Sequence, residues 1–211
     1  MAKQAAPGLA VGAVRTRRAY FDCRYGQLHV RTAFPTTGGF DEEATLVCLH
    51  GLPGSSRTFD RFLPLIATDR SVYAPDLPGN GESDRPPDAS AQSLAAAIAD
   101  LARDLRIKQI DLLGVQAGRS VAIDLALADP ALVRRLILVG SGARPRLSNL
   151  SQPSLVMTIG QGPSHTDREA GAPPSAGPVE IMDGAGYADD LFEAAPQTLA
   201  ARFAAFLNAP S

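Results

Sequence analysis

Apolar residues recur along this chain in two rhythms that alternate. Thr45 to Leu49 is a continuous apolar run, and Ser71 to Pro75 resembles it. Such runs mark strands buried on both faces. Gln109 to Gly114, Arg135 to Val139, Ser154 to Ile159 and Val179 to Met182 are predicted as further strands. Between them the period lengthens to that of a helix. Ser56 to Ala67 places Phe59, Phe62, Leu63 and Ile66 on one side. Ser93 to Leu105 carries a stripe of Leu94, Ala97, Ile98, Leu101 and Leu105. Ala117 to Ala128 and Asp190 to Leu207 complete the predicted helices, the last with Leu191, Leu199, Phe203 and Phe206. Ahead of all these, Arg17 to Cys23 and Gln27 to Phe34 are β-rich and flank Arg24-Tyr25-Gly26, which predicts a hairpin. The pattern is that of an α/β protein: a mostly parallel central sheet with an N-terminal antiparallel hairpin and helices on both faces.

Composition narrows the function classes. A chain of 211 residues with 45% hydrophobic and 20% charged residues is expected to form one domain, over 15–209, after a loose arm at 1–14. A net charge of −2 argues against nucleic acid as a partner. Arg15, Arg17 and Arg18 form the one tight basic cluster, expected to be a solvated edge. No run approaches 18 apolar residues, so no membrane span is expected. Two cysteines, Cys23 and Cys48, support no disulfide framework, which points to the cytoplasm. The His and Cys residues show no ligand spacing, so neither a metal nor another cofactor is expected.

Four motifs carry chemistry. His50-Gly51-Leu52-Pro53-Gly54 ends a buried strand. Asp76-Leu77-Pro78-Gly79-Asn80-Gly81-Glu82-Ser83 follows the next strand. Gly114-Val115-Gln116-Ala117-Gly118 joins a strand to a helix. Asp183-Gly184-Ala185-Gly186-Tyr187 precedes an amphipathic helix containing Pro196. In this order and spacing they resemble the α/β-hydrolase fold superfamily, from about Tyr20 to Leu207. The resemblance makes 114–118 the nucleophile elbow. It makes the backbone amides of Leu52 and Ala117 an oxyanion hole.

Active members present a Ser, Cys or Asp at the elbow, with a His to move the proton and an acid to orient that His. Here the presented residue is Gln116, whose carboxamide has no O–H or S–H to activate. By resemblance the His position is Tyr187, a poor base at neutral pH. The acid slot reads Gln161-Gly162-Pro163, with no carboxylate before Asp167, and the alternative slot, Ser141-Gly142-Ala143, also lacks one. Loss of all three residue types predicts a catalytic triad that has degenerated. The oxyanion amides need no side chain, so they are expected either to bind a carbonyl-containing ligand or to be filled by Oε1 of Gln116.

Replacement catalysts are few. His29 lies in the hairpin and is expected to be structural. His50 is expected to brace its loop, with catalysis the minor alternative. His165 and Asp167 share the Gly- and Pro-rich stretch 160–177; His165 is expected to be a solvated loop residue, with a displaced pair with Asp167 the minor alternative. Ser120 points along its helix, and Ser55 or Ser56 is expected to cap the next one. Only 140–153 joins two parallel strands where active relatives commonly insert a cap. The expected protein is therefore a cap-less, non-hydrolytic pseudoenzyme that binds a small molecule or a protein partner, with a homo-oligomer over the missing-cap face as one form. The alternative is a lyase, dehydratase, cyclase or weak hydrolase using Gln116, Tyr187 and His50.

Overall fold

A computed structural model describes residues 14–36, 44–140, 149–159, 176–182 and 188–209, with 176–182 and 188–189 as backbone alone. His165, Asp167, Tyr187, the proposed acid slots and most of the arm and of the 140–153 link lie outside the described residues.

Among the described residues eight strands form one sheet: β1 (Val14–Cys23), β2 (Gly26–Pro35), β3 (Thr45–Leu49), β4 (Val72–Pro75), β5 (Ile110–Val115), β6 (Val133–Val139), β7 (Ser154–Ile159) and β8 (Ala176–Met182). Their order is β1-β2-β4-β3-β5-β6-β7-β8. β1 pairs antiparallel with β2, and β2 with β4; every later pairing is parallel. Parallel neighbours need crossovers. Helices α1 (Leu63–Ile66), α2 (Ala91–Asp104) and α3 (Gly118–Ala128) lie in those from β3 to β4, β4 to β5 and β5 to β6, and two further helices, α4 (Ala188–Ala194) and α5 (Pro196–Leu207), follow β8. None of the described helices is long and apolar enough to cross a membrane.

The strands alternate, and the alternation builds two cores. Val47, Leu49, Leu112, Leu136 and Leu138 pack with Leu94, Ile98 and Leu101 of α2 and Val121 and Leu125 of α3. Leu46, Cys48, Leu113, Val115, Ile137 and Val139 face the opposite layer with Phe59, Phe62, Phe192 and Phe203. Phe192 meets Phe59 and Phe62 edge-on at 5.0 and 5.2 Å between ring centroids. Cys48 packs here as a small apolar residue, fully buried, and burial pushes its thiol far up in pKa.

Two predicted helices are interrupted, both at proline. The 56–67 segment divides into a 3₁₀ turn, Ser56–Phe59, and the short α1. Pro64 sits in the first turn of α1, where its missing N–H leaves no helical bond unmade. Ser55 caps the 3₁₀ turn, accepting from the Arg57 amide. Pro196 starts α5 and forces Ala195 out of the helical region, at φ −137 and ψ 45, so 190–207 becomes α4 and α5.

The end of α5 is clamped to the sheet. Arg135, almost fully buried, donates to the carbonyl oxygens of Phe206 at 2.9 Å, Leu207 and Ala209. Arg134 holds buried Asp111 through two bonds of 2.9 and 2.7 Å and also reaches Leu207. Guanidinium groups here satisfy the open carbonyls of a helix C-terminus and meet the negative end of its dipole.

Candidate functional site

The register places the ends of β3, β5 and β6 side by side. Leu49 pairs with Gly114, and Val115 with Val139. The chain leaves β5 at Val115, turns at Gln116 and enters α3 at Gly118. Gln116 has φ +48, one of two non-glycine residues with positive φ among the described residues. That conformation costs an L-residue energy and persists only where its surroundings impose it. Here the Gln116 amide donates to Val139 at 2.8 Å, and its carbonyl accepts from the Arg119 amide at 3.1 Å and from Arg119 Nε at 3.2 Å. The strained elbow expected from the sequence is therefore present.

Its two glycines are required by close packing. A Cβ on Gly118 would stand 2.5 Å from the Leu49 carbonyl oxygen and 2.7 Å from that of His50. A Cβ on Gly114 would stand 2.7 Å from the Gly118 carbonyl oxygen. Glycine thus lets the start of α3 lie directly against the end of β3.

The carboxamide of Gln116 does not fill the space between Leu52 and Ala117. Among the described residues neither of those two amides donates a hydrogen bond. Oε1 instead lies beside Gly140, at 2.7 Å from where a Cβ on that residue would stand. Of the two expected outcomes at these amides, filling by Oε1 is corrected. The reason is room: Gly140, at φ +143, leaves a niche at the end of β6 that the side chain occupies. Leu52 itself is 39% exposed at the rim.

His50 is wholly buried with both ring nitrogens committed. Nδ1 lies 2.7 Å from the Gly51 carbonyl oxygen, and Nε2 accepts from the Leu77 amide at 2.9 Å. This fixes the Nδ1–H tautomer. A ring so held braces the 50–54 loop against the 76–83 loop, and its catalytic candidacy gives way to that role.

The sequence did not reveal the partner of His29. Its Nδ1 donates to Asp76 Oδ2 at 2.9 Å, and both residues are only 2% exposed. Asp76 also accepts from the Ser56 amide at 2.6 Å and the Glu82 amide at 2.9 Å. The Ser83 hydroxyl donates to the Asp76 carbonyl at 2.7 Å and accepts from the His29 amide at 2.9 Å. Burial pushes the Asp76 carboxyl upward in pKa, but hydrogen bonds from Ser56, Glu82 and His29 outweigh it and hold the group below its usual range. The motif beginning at Asp76 therefore works as a knot, tying the hairpin and the segment after the 50–54 loop to one carboxylate. No group of His, Cys, Asp or Glu suited to a metal occurs among the described residues.

Comparison with known proteins agrees with this geometry. The sequence profile described as alpha/beta hydrolase fold matches residues 44–169. The chain is 35% identical over 98 residues to a pyrrolizixenacetamide deacetylase of Xenorhabdus hominickii, covering 46% of this chain and 37% of that protein. It is 31% identical over 133 residues to a 3-hydroxybutyrate-oligomer hydrolase of Cupriavidus necator, covering 62% of this chain and 43% of that one. The chain thus spans less than half the length of these relatives. Among solved structures, a predicted CIB-like hydrolase of Thermoplasma acidophilum superposes with a TM-score of 0.78 at 18% identity, over 92% of this chain and 98% of that one.

Proposed function

The chain belongs to the alpha/beta hydrolase fold family, and from that premise we propose that it is a non-hydrolytic member that binds a carbonyl- or carboxylate-bearing small molecule at the elbow. One observation carries the proposal. Gln116 holds the strained elbow position while its carboxamide lies toward Gly140, and the Leu52 and Ala117 amides have no acceptor among the described residues. Two amides without acceptors are donors available to a ligand oxygen. The N-terminus of α3 begins beside them and adds its positive dipole end. A carboxamide supplies both a donor and an acceptor to orient such a ligand, and no nucleophile to attack it.

The competing reading is an enzyme of changed chemistry built on Gln116, Tyr187 and His50. It is weaker for His50, whose nitrogens are both engaged. The relatives named above are called hydrolases, so residual hydrolysis is the outcome to test. Purified protein is assayed with short-chain p-nitrophenyl esters, and binding of small carboxylates is followed by calorimetry. Binding without turnover is expected. Turnover that persists through purification and disappears in Gln116→Ala would overturn the proposal. A protein partner in place of the small molecule predicts an assembly larger than one chain by gel filtration and no carboxylate binding.

A further inference from the structure

We infer that the groove between the β1–β2 hairpin and α1 is a second binding site, for a ligand bearing a small oxyanion such as phosphate or carboxylate. The groove encloses about 450 Å³ and is lined chiefly by Thr16, Arg18, Arg31, Thr32, Asp60 and Leu63. That is the size of an ordinary small-molecule site.

The pairing of its arginines is the first support. Arg18 of β1 lies directly opposite Arg31 of β2 in the antiparallel register. Directly opposed residues share a face, and like charges so placed repel. Asp60 neutralises one of the two: Arg31 Nη1 donates to its Oδ1 at 2.6 Å. Arg18 forms no ion pair among the described residues. The groove face therefore carries two guanidinium groups against one carboxylate, in a chain of net charge −2.

Arg31 is the second support. Its side chain is 15% exposed, and its Nε is buried with no hydrogen-bond partner. Asp60 occupies only the Nη1 corner. Nε and the adjacent Nη2 form a second fork, the geometry that takes an oxyanion through two parallel hydrogen bonds. A buried guanidinium N–H left unpaired is costly, and an oxyanion on the Nη2 side that draws the guanidinium toward the groove would relieve that cost.

A solvated edge, the role expected for the cluster from sequence, suits Arg15 and Arg17. β1 is the outermost strand, and charges there discourage pairing with other chains. That role does not suit Arg31, which lies on β2 with strands on both sides. The groove is also separate from the elbow. Four strand spacings, roughly 19 Å, divide β1 from β5.

The test is calorimetric titration of the intact protein with inorganic phosphate, and separately with succinate, sodium chloride holding ionic strength constant. Saturable binding of at least one is expected. Arg18→Ala should weaken it at least about tenfold, while Arg15→Ala, which removes the same charge from the other face of β1, should leave it unchanged. Asp60→Asn removes the internal competitor and should tighten binding. Arg18-sensitive binding of phosphate alone assigns a phosphate-bearing ligand, and Arg18-sensitive binding of succinate alone a carboxylate. Should Arg18→Ala fail to fold, Arg18→Lys keeps the charge without the fork and should still weaken binding. No saturable binding, or equal weakening by Arg15→Ala and Arg18→Ala, would overturn the inference. Carboxylate binding at Gln116 is told apart by Arg18→Ala, which should leave that binding unchanged.

Discussion

Gln116 and Gly140 are fitted to each other: the Oε1 of the first stands 2.7 Å from the place a Cβ would take on the second. Gly140 follows β6, Gln116 follows β5, and the two strands are neighbours in parallel register. The absent side chain at one strand end is the niche for the side chain at the other. This pairing turns the carboxamide away from Leu52 and Ala117.

Gly140→Ala should therefore act on both partners. It places a methyl group against Oε1 and forces a non-glycine residue to φ +143. A loss of about 1–3 kcal/mol is expected in urea unfolding. The displaced carboxamide should then compete for the Leu52 and Ala117 amides, and carboxylate binding at the elbow should weaken with it.

The strain at Gln116 has its own signature. At an ordinary helical position alanine is more stable than glycine by about 1 kcal/mol. At φ +48 the order should reverse, because only glycine adopts that conformation freely. Gln116→Gly is expected to be more stable than Gln116→Ala by about 1 kcal/mol. Equal stabilities, or a more stable alanine variant, would contradict the strain.

The Asp76 knot predicts an acid limb. Because Asp76 is held below its ordinary pKa in the fold, the folded state favours its ionised form. That contribution is complete above the unfolded value of about 3.9 and is lost as pH falls through the lower folded value. Asp76→Asn should cost about 2–4 kcal/mol at neutral pH. It should also flatten the fall of melting temperature below about pH 4. An unchanged acid limb in the variant would place the sensitivity on other carboxylates.

Arg135 should matter more than its distance from the elbow suggests. Arg135→Met keeps apolar bulk but leaves the carbonyl groups of Phe206, Leu207 and Ala209 without this donor. A loss of about 2–4 kcal/mol is expected in equilibrium unfolding. Hydrogen exchange should accelerate first in α5, since that helix end loses its clamp.

The succession of strands and helices along the chain, the helices on both faces of the sheet and the elbow were legible in the amino-acid pattern. Each depends on a short repeat or on glycines a few residues apart, and such signals are local. The breaks at Pro64 and Pro196 were legible in the same way, yet the apolar stripes running through them predicted unbroken helices. Where side chains point and whom they meet depended instead on contacts between segments far apart in the chain. His29 and Asp76 are 47 positions apart, and no periodicity joins them. The orientation of Gln116 depended on Gly140, a strand away, and the opposition of Arg18 and Arg31 on one hairpin register. Rotamer choice and strand register are set by packing between distant segments, so the chemistry of the elbow was written in the chain while its direction was written in the fold.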